Sequence, residues 1–175
     1  MYFDRQAGVE TFATAVGVDR SVTVAAVATL PETALTEVLD RLPEAETLPG
    51  FAPVVKTNYV SMLQDAVVEA GLSVEIVVQR DTLDSLRTIT ATRPAVADFF
   101  DADAVDVSTT DEQLPYARWL LDGPDLEHAG ITVHDGGAVV GVLSNDDPEA
   151  VANYRDQYAS VRGRPSRFDP ARLRD

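Results

Sequence analysis

Residues 48–78 read LPGFAPVVKTNYVSMLQDAVVEAGLSVEIVV, and this stretch decides the predicted fold. Its middle, Thr57–Ala70, carries apolar side chains at helical spacing, and Gly71 stands where a helix-ending glycine belongs. A short extended run precedes this helix. Residues 72–78 follow it as a strand whose second half is apolar on both faces, which is typical of an interior parallel strand. Strand, helix and strand in this order predict a βαβ unit.

The flanking sequence adds elements of both kinds. Additional strands are predicted at 21–30, 104–108, 116–121, 130–134 and 138–143. Additional helices are predicted at 33–42, 81–89 and 95–100, with a break at Arg93-Pro94. Gly136-Gly137 predicts a two-residue hairpin turn. Asp147, Pro148 and Glu149 predict the start of a final helix whose apolar face carries Val151, Tyr154, Tyr158 and Val161.

These elements predict an α/β fold with a mixed sheet, in which βα units are followed by an antiparallel meander and a C-terminal helix. The length suits one domain. We expect an N-terminal extension at 1–20, the α/β domain at 21–161, and an Arg- and Pro-rich tail at 162–175 that frays.

The charge composition is strongly acidic. The chain has 13 arginines and one lysine against 19 aspartates and 10 glutamates, and its net charge is −15. Self-repulsion of this size is tolerated where salt screens it, which favours a protein of a salt-rich cytoplasm. An acidic protein from a high-GC genome is the alternative. With so little positive charge, we expect no direct contact with nucleic acid.

Several classes of site and location are excluded or disfavoured. The absence of cysteine excludes disulfides and thiolate chemistry. No apolar run reaches the roughly 20 residues of a membrane span, so we expect no membrane partner and a cytoplasmic protein. The motifs of nucleotide-binding loops, serine hydrolases, zinc proteases and EF-hands are absent, and we expect no cofactor and no metal.

Candidate ligand-binding residues lie at the start of the best helix. Lys56, the only lysine, is followed by Thr57, Asn58 and Tyr59. Helix N-termini and strand ends in α/β sheets commonly hold ligands, so this run can present a cation, a hydroxyl, an amide and a ring to a small molecule. The alternative is that Thr57 and Asn58 only cap the helix while Tyr59 packs. His134, at a strand end beside Asp135, is a further candidate.

Two segments of the sequence resemble a known family. One is residues 48–78, with Ala52-Pro53, Tyr59, Ala66 and Gly71 at the family's positions. The other is residues 131–158, whose NDDPEAV run at 145–151 is followed by Tyr154 and Tyr158. The chain resembles, over about residues 20–162, the sensor (middle) domain of haloarchaeal winged-helix transcription regulators of the methanogenesis-regulatory-protein type.

The resemblance implies a non-enzymatic regulatory domain that binds a small effector or a partner protein. Members usually begin with a winged-helix domain, which residues 1–20 are too short to form, so the expectation is a domain that lacks its own DNA-binding half and acts as a homodimer or through a regulator partner. Two alternatives stay open. One is an interaction module without a ligand, and the other is a hydrolase that uses His134 with nearby carboxylates.

Overall fold

The structure, a computed structural model, describes residues 36, 38–88, 93–135, 138–162 and 166–173. The expected extension at 1–20, the strand expected at 21–30 and the turn at Gly136-Gly137 lie outside these residues. Residues 36, 38 and 39 are helical, in agreement with the helix expected there, and a 3₁₀ turn follows at Leu42–Glu44.

The described chain forms one mixed sheet with helices on both faces. The strands are β1 (Thr47–Ala52), β2 (Ser73–Gln79), β3 (Val105–Thr110), β4 (Ala117–Gly123), β5 (Leu126–Asp135), β6 (Ala138–Asn145) and β7 (Ser166–Arg167). The helices are α1 (Thr57–Ala70), α2 (Arg80–Thr88), α3 (Arg93–Phe100) and α4 (Pro148–Arg162). The seven strands lie in the order β6-β5-β4-β1-β2-β3-β7. β1, β2 and β3 are parallel, whereas β4, β5 and β6 form an antiparallel meander beside β1. The predicted fold class is confirmed.

The βαβ unit forms as the sequence predicts. β1 pairs with β2 in parallel from Thr47 opposite Ser73 to Ala52 opposite Val78. Gly71 ends α1 in the left-handed conformation, with φ of 72°, which only glycine adopts without strain. The capping alternative for Thr57 and Asn58 is wrong, because the N-cap residue is Lys56 and no side chain makes a capping hydrogen bond there.

Arg93 and Pro94, which were expected to break a helix, lie in the first turn of α3. Proline is compatible with a first helical turn because the backbone N–H that it lacks has no partner within the helix there. Residues 89–92, between α2 and α3, lie outside the described residues.

The start of α4 follows the predicted capping pattern. The Asp147 side chain accepts the N–H of Glu149 at 2.8 Å, and its carbonyl accepts the N–H of Val151 at 3.0 Å. Val151, Tyr154 and Tyr158 are buried, as the apolar face predicts.

Alternation along the strands divides the core into two. One face of the sheet packs against α1, α2 and α3, and its buried side chains include Leu48, Val74 and Val78. The other face packs against α4, and it includes Phe51 and Val77. Successive residues of a strand point to opposite faces, so each central strand supplies both cores. No helix of the described residues is long and apolar enough to cross a membrane.

The tail was expected to fray, and over residues 166–173 it is packed. β7 pairs antiparallel with β3 through Ser108 opposite Arg167 and Thr109 opposite Ser166. Leu173 is fully buried, and Phe168 packs against the ring of Phe100 with centroids 6.2 Å apart. Two apolar side chains within an arginine-rich run thus anchor the segment to the core.

A glycine makes room for the only tryptophan. Gly130 of β5 lies opposite Trp119 of β4, and a Cβ on residue 130 would lie 2.2 Å from Trp119 Cζ2. The indole is held in this place by a hydrogen bond from its Nε1 to Thr132 Oγ1, at 3.0 Å.

We expect Gly130→Ala to lower the free energy of unfolding by about 1–3 kcal/mol, since the added methyl displaces a packed ring. Urea unfolding gives the stability, and the emission of Trp119 reports the displacement. Gly71→Ala is the control. It costs about 1–2 kcal/mol through backbone strain and should leave the emission unchanged. An unshifted Trp119 spectrum in Gly130→Ala would contradict this account of the packing.

Candidate functional site

A cavity of about 150 Å³ lies between α1 and the sheet. Its floor is formed by β1 and β4, and its walls come from α1, α3 and the turn before β1. The apolar side chains around it include Leu39, Leu42, Leu48, Val55, Val60, Met62, Leu63, Ile76, Phe99 and Trp119. The polar residues around it are Lys56, Tyr59, Arg118, Thr132 and His134. We call this space the apolar cavity.

The apolar cavity lies beneath part of α1. Met62, Leu63, Ala66 and Val67 are apolar residues of α1 that are only half-buried, and Val60 is the buried residue of this helix. Met62 and Leu63 border the cavity, while Leu63, Ala66 and Val67 also pack against the core on this face of the sheet. An amphipathic helix held over a void leaves apolar surface that a ligand can cover.

The structure brings together three of the five candidate residues. Lys56, Tyr59 and His134 border the apolar cavity. Thr57 and Asn58 do not border it, and Asn58 is exposed to solvent. Lys56 and Tyr59 are placed by the first turn of α1. His134 is placed by β5, where it follows Thr132 on the same face of the sheet.

His134 is the polar group whose environment is most unusual. Its ring lies edge-on to Tyr59 with centroids 6.2 Å apart, and both of its ring nitrogens are buried without a hydrogen-bond partner. Burial lowers the pKa of His134 below its ordinary value, and the positive charge of Lys56 lowers it further. Burial also raises the pKa of Tyr59. Near neutral pH, these shifts leave the imidazole of His134 and the phenol of Tyr59 uncharged.

A second cluster surrounds His128, a residue to which no sequence motif assigns a role. His128 lies within β5 and is buried. Its Nδ1 contacts the carboxylate of Asp146, and Arg41 Nη1 lies 3.2 Å from both Nδ1 and that carboxylate. No sequence pattern links residues 41, 128 and 146, so only the fold reveals this contact.

The contacts of the His128 cluster indicate a structural role. Burial raises the pKa of Asp146, but hydrogen bonds and charge from His128 and Arg41 outweigh burial and leave it lowered overall. The cluster joins the segment before β1 to the loop before α4. His128 also packs against Trp119, with ring centroids 5.6 Å apart, so it supports the wall of the apolar cavity from behind.

The described residues offer little to a metal ion. Over these ranges, no group of three or more His, Asp or Glu residues is arranged to hold one. Within the described part of the chain, no carboxylate orients His134 as a general base, because neither of its ring nitrogens has a hydrogen-bond partner there.

Comparisons with known proteins point to one family and to a widely used fold. A family model described as the middle domain of the methanogenesis regulatory protein FilR1 matches residues 31–164. The comparison with curated proteins found no match.

Among solved structures, TrmBL2, an archaeal chromatin protein, is similar with a TM-score of 0.60 and 12% identity over 94% of this chain. The chain spans only 62% of the TrmBL2 chain. NucT from Helicobacter pylori is similar with a TM-score of 0.63 and 11% identity, over 82% of this chain and 98% of that one. Nuc from Salmonella typhimurium, a phospholipase D family member, has a TM-score of 0.60 and 13% identity, over 82% and 96%. At sequence identities this low, the similarity shows a shared fold and nothing about function.

The lowered pKa of His134 gives a testable titration. The chain has two histidines, so an NMR pH titration of the imidazole signals follows both, and His134→Phe identifies which signal belongs to His134. We expect this signal to titrate below about 6.5, the ordinary value for histidine.

The same shift predicts a loss of stability in mild acid. The unfolded chain binds the proton at a higher pH than the folded one does, so the contribution of His134 is complete above about pH 6.5 and is lost as the pH falls toward the folded-state pKa. His134→Phe should reduce this part of the loss. A His134 signal that titrates above 6.5 would contradict the burial argument.

Proposed function

The chain belongs to the family of the FilR1 middle domain, and on this premise we propose that it is the effector-sensing domain of an archaeal transcription regulator. In this proposal, a small molecule enters the apolar cavity and is recognised without being chemically changed. The domain acts in the cytoplasm, where the transcription machinery is, and it passes its state to a partner subunit.

The observation that carries the proposal is the apolar cavity itself. It combines an apolar volume with a small number of polar residues at its border, which is the usual composition of a small-molecule site. An interaction module without a ligand would have no use for a void that costs packing energy. Apolar cavities near 150 Å³ hold molecules of about the size of benzene.

The cavity favours a particular class of effector. Its apolar walls match a small aromatic or branched aliphatic body. Lys56 at the border matches an anionic or acceptor group, while the unpartnered nitrogens of neutral His134 match a hydroxyl or an acid proton. We therefore propose an aromatic or short branched acid or phenol as the effector.

Non-enzymatic action is favoured over hydrolysis by the surroundings of His134. A histidine that acts as a general base is oriented by a second group and lies near a nucleophile. Among the described residues, the charged neighbour that shifts the pKa of His134 is a cation, Lys56, which makes His134 a weaker base. The fold is shared with a phospholipase D family member, but the fold alone does not transfer that chemistry.

Binding is proposed to act by shifting a population of conformations. A ligand that fills the apolar cavity stabilises α1 against the sheet, because the half-buried stripe then gains contacts. The ligand shifts the equilibrium toward the conformation in which α1 is docked on the sheet. The size of this shift equals the difference in the ligand's binding free energy between the two conformations. With a net charge of −15, the domain repels DNA phosphates, so the proposal assigns it no DNA contact of its own.

The effector proposal is tested by titrating the protein with aromatic and branched short-chain acids and phenols. Trp119 is the only tryptophan and it borders the cavity, so its emission should change on binding. At a ligand concentration 100 times the dissociation constant, binding adds about 2.7 kcal/mol, or roughly 5–10 °C in melting temperature for a chain of this size.

A matched pair of variants locates the site. Ala52→Phe fills the cavity from the end of β1 and should abolish binding without loss of stability. Ala70→Phe places the same side chain on the exposed end of α1 and should bind like the parent chain. Binding that survives Ala52→Phe would show that the apolar cavity is not the site. If none of the acids and phenols tested binds, an interaction module without a ligand becomes the better account.

The proposed partner subunit is a second copy of the chain. β6 forms one edge of the sheet, and in the described part of the chain its outer side has no neighbouring strand. An open strand edge is a template for pairing with another chain. We expect light scattering in concentrated KCl to give twice the chain mass. A mass that stays at 18.9 kDa at high protein concentration would contradict the dimer.

A further inference from the structure

Arg118 of β4 is a buried cation without a counterion. Its side chain points to the α4 face of the sheet, and the residue is only 5% exposed. The guanidinium lies over the ring of Tyr116, 5.4 Å from the centroid. Its Nε has no hydrogen-bond partner, and among the described residues no carboxylate lies within ion-pair distance of it. A buried charge in this state is strongly unfavourable unless something compensates it.

A small cavity lies directly beside this group. Its volume is about 30 Å³, and it is bordered by residues of β4, β5, β6 and α4. The polar residues at its border are Arg118, Ser144, Asn145, Asn153 and Tyr154, with no aspartate or glutamate among the bordering residues. We call this space the arginine pocket. It lies on the α4 face of the sheet, and Arg118 is a residue that it shares with the border of the apolar cavity.

Several polar groups at the border of the arginine pocket are hydrogen-bond donors. The side-chain oxygen of Asn153 already accepts a hydrogen bond from Gln157 Nε2 at 2.9 Å, which leaves the amide nitrogen of Asn153 as its remaining polar group. The Tyr154 hydroxyl donates its proton to the carbonyl of Pro49 at 2.5 Å. A guanidinium and an amide nitrogen, with no carboxylate, around one small volume suit an anion.

We propose that the arginine pocket binds a halide ion, chloride in the cell, which neutralises Arg118. A space of 30 Å³ admits one or two water-sized particles, which fits a monatomic anion and excludes phosphate or an amino-acid carboxylate. Water alone would solvate the guanidinium but leave its charge uncompensated. Because Ala150, Asn153 and Tyr154 of α4 border the pocket, the bound ion joins α4 to the meander.

This site makes stability depend on the identity of the salt as well as its strength. A chain with a net charge of −15 repels anions in general, so saturable stabilisation by chloride at fixed ionic strength requires a specific site. The proposal is independent of any effector in the apolar cavity.

The first test is thermal and urea unfolding with potassium chloride exchanged for potassium gluconate at constant ionic strength. Gluconate is too large for the pocket. We expect stability to rise with chloride and then saturate. At a chloride concentration ten times the dissociation constant, the unfolding equilibrium constant should fall about elevenfold. Equal stability in the two salts, or a rise without saturation, would overturn the proposal.

Two variants separate the anion from other effects of salt. Asn153→Asp supplies an internal carboxylate to Arg118, so it should be more stable than the parent chain in gluconate and should lose the chloride response. Gln64→Glu, which makes the same charge change on the exposed face of α1, should keep that response. Arg118→Met removes the charge and should fold without any chloride dependence, since apolar replacements of buried charges are tolerated.

The second test is direct. Crystals grown with potassium bromide, measured at the bromine absorption edge, should show an anomalous peak beside the guanidinium of Arg118, and crystals of Asn153→Asp should not. A pocket that holds only water in the parent chain under bromide would overturn the proposal, whatever the unfolding curves show.

Discussion

The pairing of β1 with β4 is the contact on which the rest of the molecule depends. It joins the parallel half of the sheet to the antiparallel meander, with Gly50 opposite Trp119 and Phe51 opposite Arg118. The strands approach so closely that a Cβ on residue 50 would lie 2.8 Å from the Arg118 carbonyl oxygen. Because neighbouring strand residues point to opposite faces, this one register sends Trp119 to the apolar cavity and Arg118 to the α4 face.

The two faces of the sheet are therefore built for different purposes. On the α1 face, a helix with a long apolar stripe covers a void, and Trp119 is fixed by Thr132 and supported by His128. On the α4 face, two tyrosines reach the backbone of the parallel strands, since Tyr154 donates a hydrogen bond to the carbonyl of Pro49 and Tyr158 to that of Glu75. These bonds tie α4 to the sheet opposite the face that carries the apolar cavity.

Surface electrostatics also holds α4 in place. Arg155 bridges Asp122 and Glu127 of the meander, and Arg162 bridges Glu75 and Asp106 of the parallel strands. These pairs are exposed, so each contributes only a few tenths of a kcal/mol up to about 1 kcal/mol, and salt screens them. The chain has few cations, and each of these two arginines of α4 pairs with carboxylates on two neighbouring strands. Arg118 differs because it is buried and has no such carboxylate.

Local sequence patterns predict the helices α1 and α4 correctly. The spacing of apolar residues in α1, the glycine after it and the aspartate before α4 predict helices whose bounds the structure reproduces, since these signals act within a few residues. The α/β class and the place of Lys56 and Tyr59 at the start of α1 follow in the same way. The prediction that Thr57 and Asn58 cap α1 was wrong because several nearby residues can occupy an N-cap position.

Three contacts follow from the tertiary structure alone. His134 meets Tyr59, His128 meets Asp146 and Arg41, and Arg118 is buried beside a pocket. Each of these contacts depends on strand register and on the face of the sheet. Both are fixed by pairing between segments far apart in the chain, where no local pattern carries the information.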